Sequence, residues 1–341
     1  MKDFFKGLAI LTAALLLFPA VPYFLSRVSS GDDAVEASAG MVVAKDDSPA
    51  ELCGEEMYLY DTVTGRTVTL TVEEYVASAV AAQLAPSCDR ELLKAQAVLM
   101  YTYLLKRRAD ELKNPTAELY GCDISTDTSK YPRLILGNDE SVDLSVYREI
   151  AHEVAGEYIS YGGEPISVAY CYSAGTSTES ALTVLGIDIP YLQSVDSAEP
   201  DAYHTTVTYT SEEVFARLTT SSDGYVLLGG ADGWITMKNV EANGYVREVY
   251  LDGRFIVSGI EIARLLNLPS ARFTFRYSEA TDRFTFTVSG SGSLAGMSQR
   301  GAAVLASQGY NYKEILLHYF SDIDLKSSAS DSASEADDDA E

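Results

Sequence analysis

The chemistry-bearing position that stands out in this chain is an amide. Gln83 is the polar member of a stripe otherwise made of Val72, Tyr75, Val76, Ala79 and Val80, spaced as one face of a helix. A polar side chain on the face turned toward the protein body either lines a cleft or takes hydrogen-bond partners nearby. From the residues alone, a helix-end amide satisfied by neighbouring backbone is the commoner outcome. Proton chemistry needs a group that exchanges a proton, which an amide does not supply. The nearest carboxylates in sequence are Glu73, Glu74, Asp89 and Glu91, with Asp123 and Asp127 further on. Glu73 and Glu74 begin the same helix, about 14 Å away at the helical rise, which is out of reach. Asp89 and Glu91 open the following helix, where capping and the helix dipole account for them. Asp123 and Asp127 lie in a polar loop that could border a cleft.

The elements that must position these groups run from Thr71 to Arg108. Thr71 and Glu74 have the spacing of a capping box. Pro86 ends the first helix. Ser87 or Asp89 caps the second, which Asn114-Pro115 bounds. Upstream, Tyr58–Tyr60 and Thr67–Leu70 flank Thr64-Gly65 as a hairpin. Downstream, a polar loop over 121–133 precedes a helix over 142–154. Strands follow over 157–163 and 165–175, with a turn at Gly162-Gly163 between them. Residues 205–290 read as a mixed insert: a short helix from Ser211, strands around Asn243-Gly244 and Asp252-Gly253, a helix after Ser258-Gly259, and an alternating hairpin over 272–288. A helix opening near Ser298, a further helix and a closing strand complete the folded part.

Bulk properties narrow the function. The 341 residues are 47% hydrophobic, a globular composition. The net charge of −25 argues against nucleic-acid binding and against adhesion to an anionic lipid surface. Cys53, Cys88, Cys122 and Cys171 are widely spaced with no CxxC pair, against a four-cysteine zinc site; disulfides and buried free thiols both remain open. Lys2 and Lys6 precede an uncharged, mostly apolar run from Gly7 to Leu25, just long enough to span a bilayer. The expectation is a single-pass anchor in the cell membrane with the bulk outside; a cleaved signal peptide is the rival. The boundaries expected are an anchor over 1–28, a flexible linker over 29–52, a folded domain over 53–326 and an acidic disordered tail over 327–341.

Two segments carry a family resemblance. EEYVASAVAAQLAPS and ELLKAQAVLMYTYLL resemble the opening of the SpoIID/LytB family, the stage II sporulation protein D and amidase-enhancer domain, with no gap between Gln83 and Lys94-Ala95-Gln96. Tyr161-Gly162-Gly163, Ser173-Ala174-Gly175, Thr178-Glu179, Pro190–Val195 and Gly296–Ala302 continue it in order, over about residues 56–325. The resemblance implies an α+β fold: a SpoIID-like domain with a helical pair packed on antiparallel β-structure and a mixed α/β insert. It also implies a substrate, the glycan strands of peptidoglycan, which lytic transglycosylases of this family cut to a 1,6-anhydro product using one glutamate for both proton transfers. Gln83 stands where that glutamate belongs, Tyr101 replaces a family arginine, and Ser293 a family histidine. By the same resemblance Ser173, Thr176, Ser298 and Gln299 line the cleft with Gln83 and bind sugar hydroxyls and acetamido groups; a capping and packing role is the alternative for Ser298 and Gln299. Some members bind zinc in the loop matching 121–131. Here Cys122 matches one ligand, Thr128 stands at another, and the three histidines lack a cysteine at ligand spacing, so no metal and no cofactor are expected. The expectation is a membrane-anchored extracytoplasmic protein that binds glycan strands during sporulation, impaired as a catalyst by Gln83. Other cell-wall or sporulation proteins are the further partners implied. The alternative is an active transglycosylase using another carboxylate.

Overall fold

A computed structural model describes residues 55–136, 142–200, 203–220 and 224–328. The fold is α+β. Strand β1 (Glu56–Asp61) pairs antiparallel with β2 (Arg66–Thr71), and Gly65 turns the hairpin with φ +68°, a conformation glycine adopts without strain. Alternation along β1 buries Met57 and Leu59.

Helix α1 (Val72–Ala81) starts on Thr71, whose hydroxyl accepts the Glu74 N–H at 3.1 Å. The Glu74 carboxylate faces Arg148 at 3.7 Å, so one half of the expected capping box forms. The helix ends ahead of Pro86. The N–H groups of Gln83 and Leu84 both donate to Val80 O, at 3.0 and 2.9 Å, and this tightened turn carries Gln83 just past the helix rather than in its last turn. Helix α2 (Arg90–Lys113) is capped by Asp89, which accepts the Glu91 N–H at 2.9 Å, and stops at Asn114 before Pro115. It is buried on most sides from Leu92 to Ala109, as expected of a helix that is apolar nearly all round.

The chain continues through β3 (Ile124–Ser125), parallel to β1, and α3 (Ser145–Glu153). Next come β4 (Glu157–Tyr161), β5 (Glu164–Pro165) and β6 (Tyr170–Ser173). The strand expected over 165–175 is thus divided: β5 pairs with β4, while β6 runs in another sheet. A short α4 (Ala181–Leu185) precedes the insert. The insert holds β7 (His204–Thr210), α5 (Ser211–Thr219), β8 (Ile235–Val240), β9 (Val246–Leu251), β10 (Phe255–Ser258), α6 (Gly259–Leu265), β11 (Phe273–Ser278) and β12 (Arg283–Ser289). The last described elements are β13 (Ser291–Gly292), β14 (Met297–Ser298), α7 (Gln299–Ser307), α8 (Tyr312–Tyr319) and β15 (Asp324–Ser327). These strands form small sheets in the orders β2-β1-β3, β15-β4-β5, β13-β6-β14, β10-β9-β8 and β11-β12-β7.

Apolar burial drives two clusters. The larger surrounds α2 and takes in β1, α1, α3, β4, α7 and α8. The smaller is drawn from the insert and centred on Trp234, Phe273, Phe284 and Phe286, with the Trp234 and Phe284 rings stacked at 6.1 Å. Tyr245 and Ala271 leave the insert to pack in the larger cluster. Among the described residues no helix is long and apolar enough to cross a membrane. The expected anchor (7–25), the linker and almost all of the acidic tail lie outside the described residues.

Candidate functional site

Gln83 is half-buried and belongs to a row of amides. Its Oε1 accepts from Gln96 Nε2 at 2.9 Å, and its Nε2 reaches Met100 Sδ at 3.3 Å. Gln96 Oε1 accepts in turn from Gln299 Nε2 at 3.2 Å. Gln96 and Gln299 are 0% and 2% exposed, so the turn after α1, helix α2 and helix α7 meet through a buried row of amide hydrogen bonds. Tyr170 on β6 closes the arrangement. Burial pushes its phenol above the usual range, and a hydrogen bond from Gln83 pulls the other way. Gln299 Oε1 has no hydrogen-bond partner among the described residues. A carboxylate at position 83 would find two donors in place, the Gln96 amide and the Tyr170 hydroxyl.

A second cluster lies behind Gln299. The Glu199 carboxylate is 0% exposed. It accepts from Ser173 Oγ at 2.6 Å, Ser298 Oγ at 2.7 Å and Ala174 N at 2.9 Å, with Arg300 Nε at 3.3 Å. Three segments distant in sequence are therefore held on one charge. Ser298 also caps α7 by accepting the Gly301 N–H at 3.3 Å. Arg272, from the insert, is the other buried charge here. It pairs with Glu179 at 2.5 Å and donates to Ala174 O at 2.6 Å and Ser177 O at 3.1 Å. Asn243 Nδ2 completes the pair, donating to Glu179 at 2.6 Å.

The residues singled out in the sequence thus sit together in distinct layers. Gln83 is at the edge. Gln299 lies behind it through Gln96. Ser173 and Ser298 are 0% exposed, with their hydroxyls on Glu199 rather than facing an open cleft, because a buried carboxylate needs those donors. Thr176 is exposed, its carbonyl accepting the Ser197 N–H at 3.0 Å. Gln96, Tyr170, Glu199 and Arg272 were missed. Gln96 carried a signal, a lone amide in an apolar helix; Glu199 carried none, since Ser298 and Arg300 lie far along the chain from it.

Each carboxylate weighed as a substitute acid has another partner. Glu73 meets His152 at 3.1 Å. Asp89 caps α2. Glu91 pairs with Lys94 at 3.1 Å and accepts the Tyr312 N–H at 2.8 Å. Asp123 is buried against Arg108 at 3.1 Å and accepts the Tyr58 N–H at 2.8 Å. Asp127 binds the Ser129 hydroxyl and N–H, which hold it below the usual carboxylate range. Cys88, Cys122 and Cys171 are free thiols, each pushed up by burial. Cys122 Sγ lies 3.4 Å from the Thr67 hydroxyl. Among the described residues no three His, Cys, Asp or Glu side chains converge as metal ligands.

Gly301 lets α7 approach closely. A Cβ there would run into Ser197 O and the Tyr319 hydroxyl. Gly301→Ala is expected to destabilise the protein by about 1–3 kcal/mol, read as a lower urea midpoint; an unchanged midpoint would mean that α7 is free to shift.

The family model described as stage II sporulation protein, SpoIID, matches residues 60–161, which run from the end of β1 through β4 and hold all of the Gln83–Gln96 contact. The stage II sporulation protein D of Bacillus subtilis (strain 168) is 26% identical, with 94% of each chain covered. That of Bacillus amyloliquefaciens is 26% identical over 78% of this chain and 77% of its own. An uncharacterized protein of Brachyspira hyodysenteriae (strain ATCC 49526 / WA1) is 27% identical over 75% of this chain and 67% of its own. The chain is thus a relative of the stage II sporulation proteins of the SpoIID family, and the amide of Gln83 lies within the segment that carries the match.

Proposed function

We propose that this chain is a membrane-anchored, extracytoplasmic SpoIID-like protein that binds peptidoglycan glycan strands during sporulation and cleaves them poorly or not at all. The observation that carries the reading is the placement of Gln83, at the edge of the site, bonded to Gln96 and Tyr170, with no carboxylate among its partners. The structural engagement of Glu73, Asp89, Glu91, Asp123 and Asp127 supports it against the alternative of an active transglycosylase with a displaced acid. Gln83 and the exposed Thr176 are the groups offered to sugar; Gln299 supports Gln83 through Gln96, and Ser173 and Ser298 bind the buried Glu199. The relatives' names bring sporulation to the reading, and residues 7–25 bring the membrane.

Co-sedimentation with isolated cell walls is the test. The full chain is expected to pellet with walls and to stay soluble once the glycan strands have been digested. Equal pelleting with digested and intact material would contradict glycan binding. Protease added to intact protoplasts is expected to cut within residues 56–325; complete protection would reverse the orientation.

A further inference from the structure

Strand β6 carries more than the contact with Gln83. Alternation along a strand puts Tyr170 and Tyr172 on one face and Cys171 and Ser173 on the other, and the burial follows suit: Cys171 and Ser173 are buried, while Tyr172 is 40% exposed. Tyr172 therefore stands about 7 Å along the strand from the tyrosine that Gln83 bonds. Its ring does not swing freely. Tyr203 meets it edge to face, with centroids 5.6 Å apart and an interplanar angle of 86°. The Arg300 guanidinium lies over the Tyr203 ring, 5.8 Å from the centroid, and the Arg300 side chain is 39% exposed. Behind it, Arg300 Nε forms an ion pair at 3.3 Å with the fully buried Glu199 carboxylate.

A buried carboxylate thus orients a cation, the cation backs one ring, and that ring sets the angle of a second, exposed ring. Order fixed in advance lowers the cost of binding. A tyrosine offers a flat apolar face with a polar tip, which suits the C–H face of a pyranose. Outward guanidinium N–H groups donate only, which suits hydroxyl and acetamido oxygens.

We propose that Tyr172, Tyr203 and Arg300 form a sugar-stacking subsite beside Gln83 that takes an uncharged N-acetylhexosamine ring of a glycan strand. The subsite rests on the glycan-binding reading above and adds the surface on which the ring lies. Tyr172 and Arg300 are the contact residues; Tyr203 is the positioning residue between them.

The test is a titration of the full chain with the uncharged tetramer of N-acetylglucosamine, beside the cell-wall assay. The wild type is expected to bind. Tyr172→Ala should weaken binding roughly tenfold, in line with the upper range for aromatic contacts, with an unchanged urea midpoint. Tyr172→Phe keeps the ring and should stay within about twofold of wild type. Tyr172→Trp should show an emission change on adding the tetramer, since Trp234, the single native tryptophan, lies in the insert core. If the wild type binds and Tyr172→Ala binds equally well, the subsite is wrong while the glycan reading stands. If the wild type sediments with cell walls yet ignores the tetramer, the uncharged-hexosamine class is wrong. If it binds neither, the glycan reading fails and the subsite with it.

Discussion

Glu199→Ala is expected to destabilise the protein by about 3–5 kcal/mol, the range for removing one partner of a buried charge cluster. The carboxylate accepts from the hydroxyls of Ser173, Ser298 and, at 3.4 Å, Ser197, and from one backbone N–H, and faces Arg300. Its removal strips the buried Ser173 and Ser298 hydroxyls of their shared acceptor and leaves the Ala174 N–H with Ser298 Oγ alone at 3.3 Å, and each buried donor left unsatisfied costs about 1–3 kcal/mol. Glu199→Gln keeps the shape but turns a donor toward a donor, so a smaller loss is expected. Urea unfolding reads both changes. A Glu199→Ala midpoint corresponding to less than about 1 kcal/mol would mean that the three segments are held by packing instead.

Arg272→Met should cost a similar amount, about 3–5 kcal/mol, because it leaves Glu179 buried with Asn243 as its remaining side-chain donor. The physical source is the stranded charge more than the lost attraction. The double variant Arg272→Met with Glu179→Leu should therefore recover much of the loss. The same pair ties the insert to the loop over 173–179, through Ala174 O and Ser177 O, so the single variant should also speed proteolysis of that loop. If the double variant is as unstable as the sum of the two singles, the pair is not coupled and this account of the insert's attachment fails.

Local rules made much of this legible. Thr71, Asp89, Ser258 and Ser298 each cap the helix that follows, and the period-two pattern of 272–288 is the hairpin β11–β12. Short-range chemistry fixes such features. What sequence reading missed depended on partners far along the chain. The Glu74 half of the first capping box was lost to Arg148 on another helix. The strand expected over 165–175 divided because its two ends pair with different sheets. The resemblance offered Ser173 and Ser298 as sugar ligands, with capping as the alternative for Ser298, which does cap α7; nothing local announces the carboxylate that takes both hydroxyls. Gln83 itself was legible as an anomaly, a polar residue on an apolar stripe, but its bonding to Gln96 and, through it, to Gln299 needs three helices brought together.

The most direct measurement of the central claim is the release of 1,6-anhydro-muropeptides from isolated cell walls by the wild type, Gln83→Glu and Gln83→Ala. Both Gln83→Glu and the wild type should fold alike, since the Gln96 amide donates to either side chain and the Tyr170 hydroxyl, which accepts from the Gln83 amide, can rotate to donate to a carboxylate. The wild type and Gln83→Ala are expected to release no anhydro product above background. Loss of a general acid commonly costs on the order of 10²–10⁴ in rate, so restoring one with Gln83→Glu is expected to give a trace of product, short of full activity because Tyr101 and Ser293 also depart from the family pattern. Anhydro product from the wild type, matched by Gln83→Ala, would contradict the account and place the acid elsewhere in the molecule.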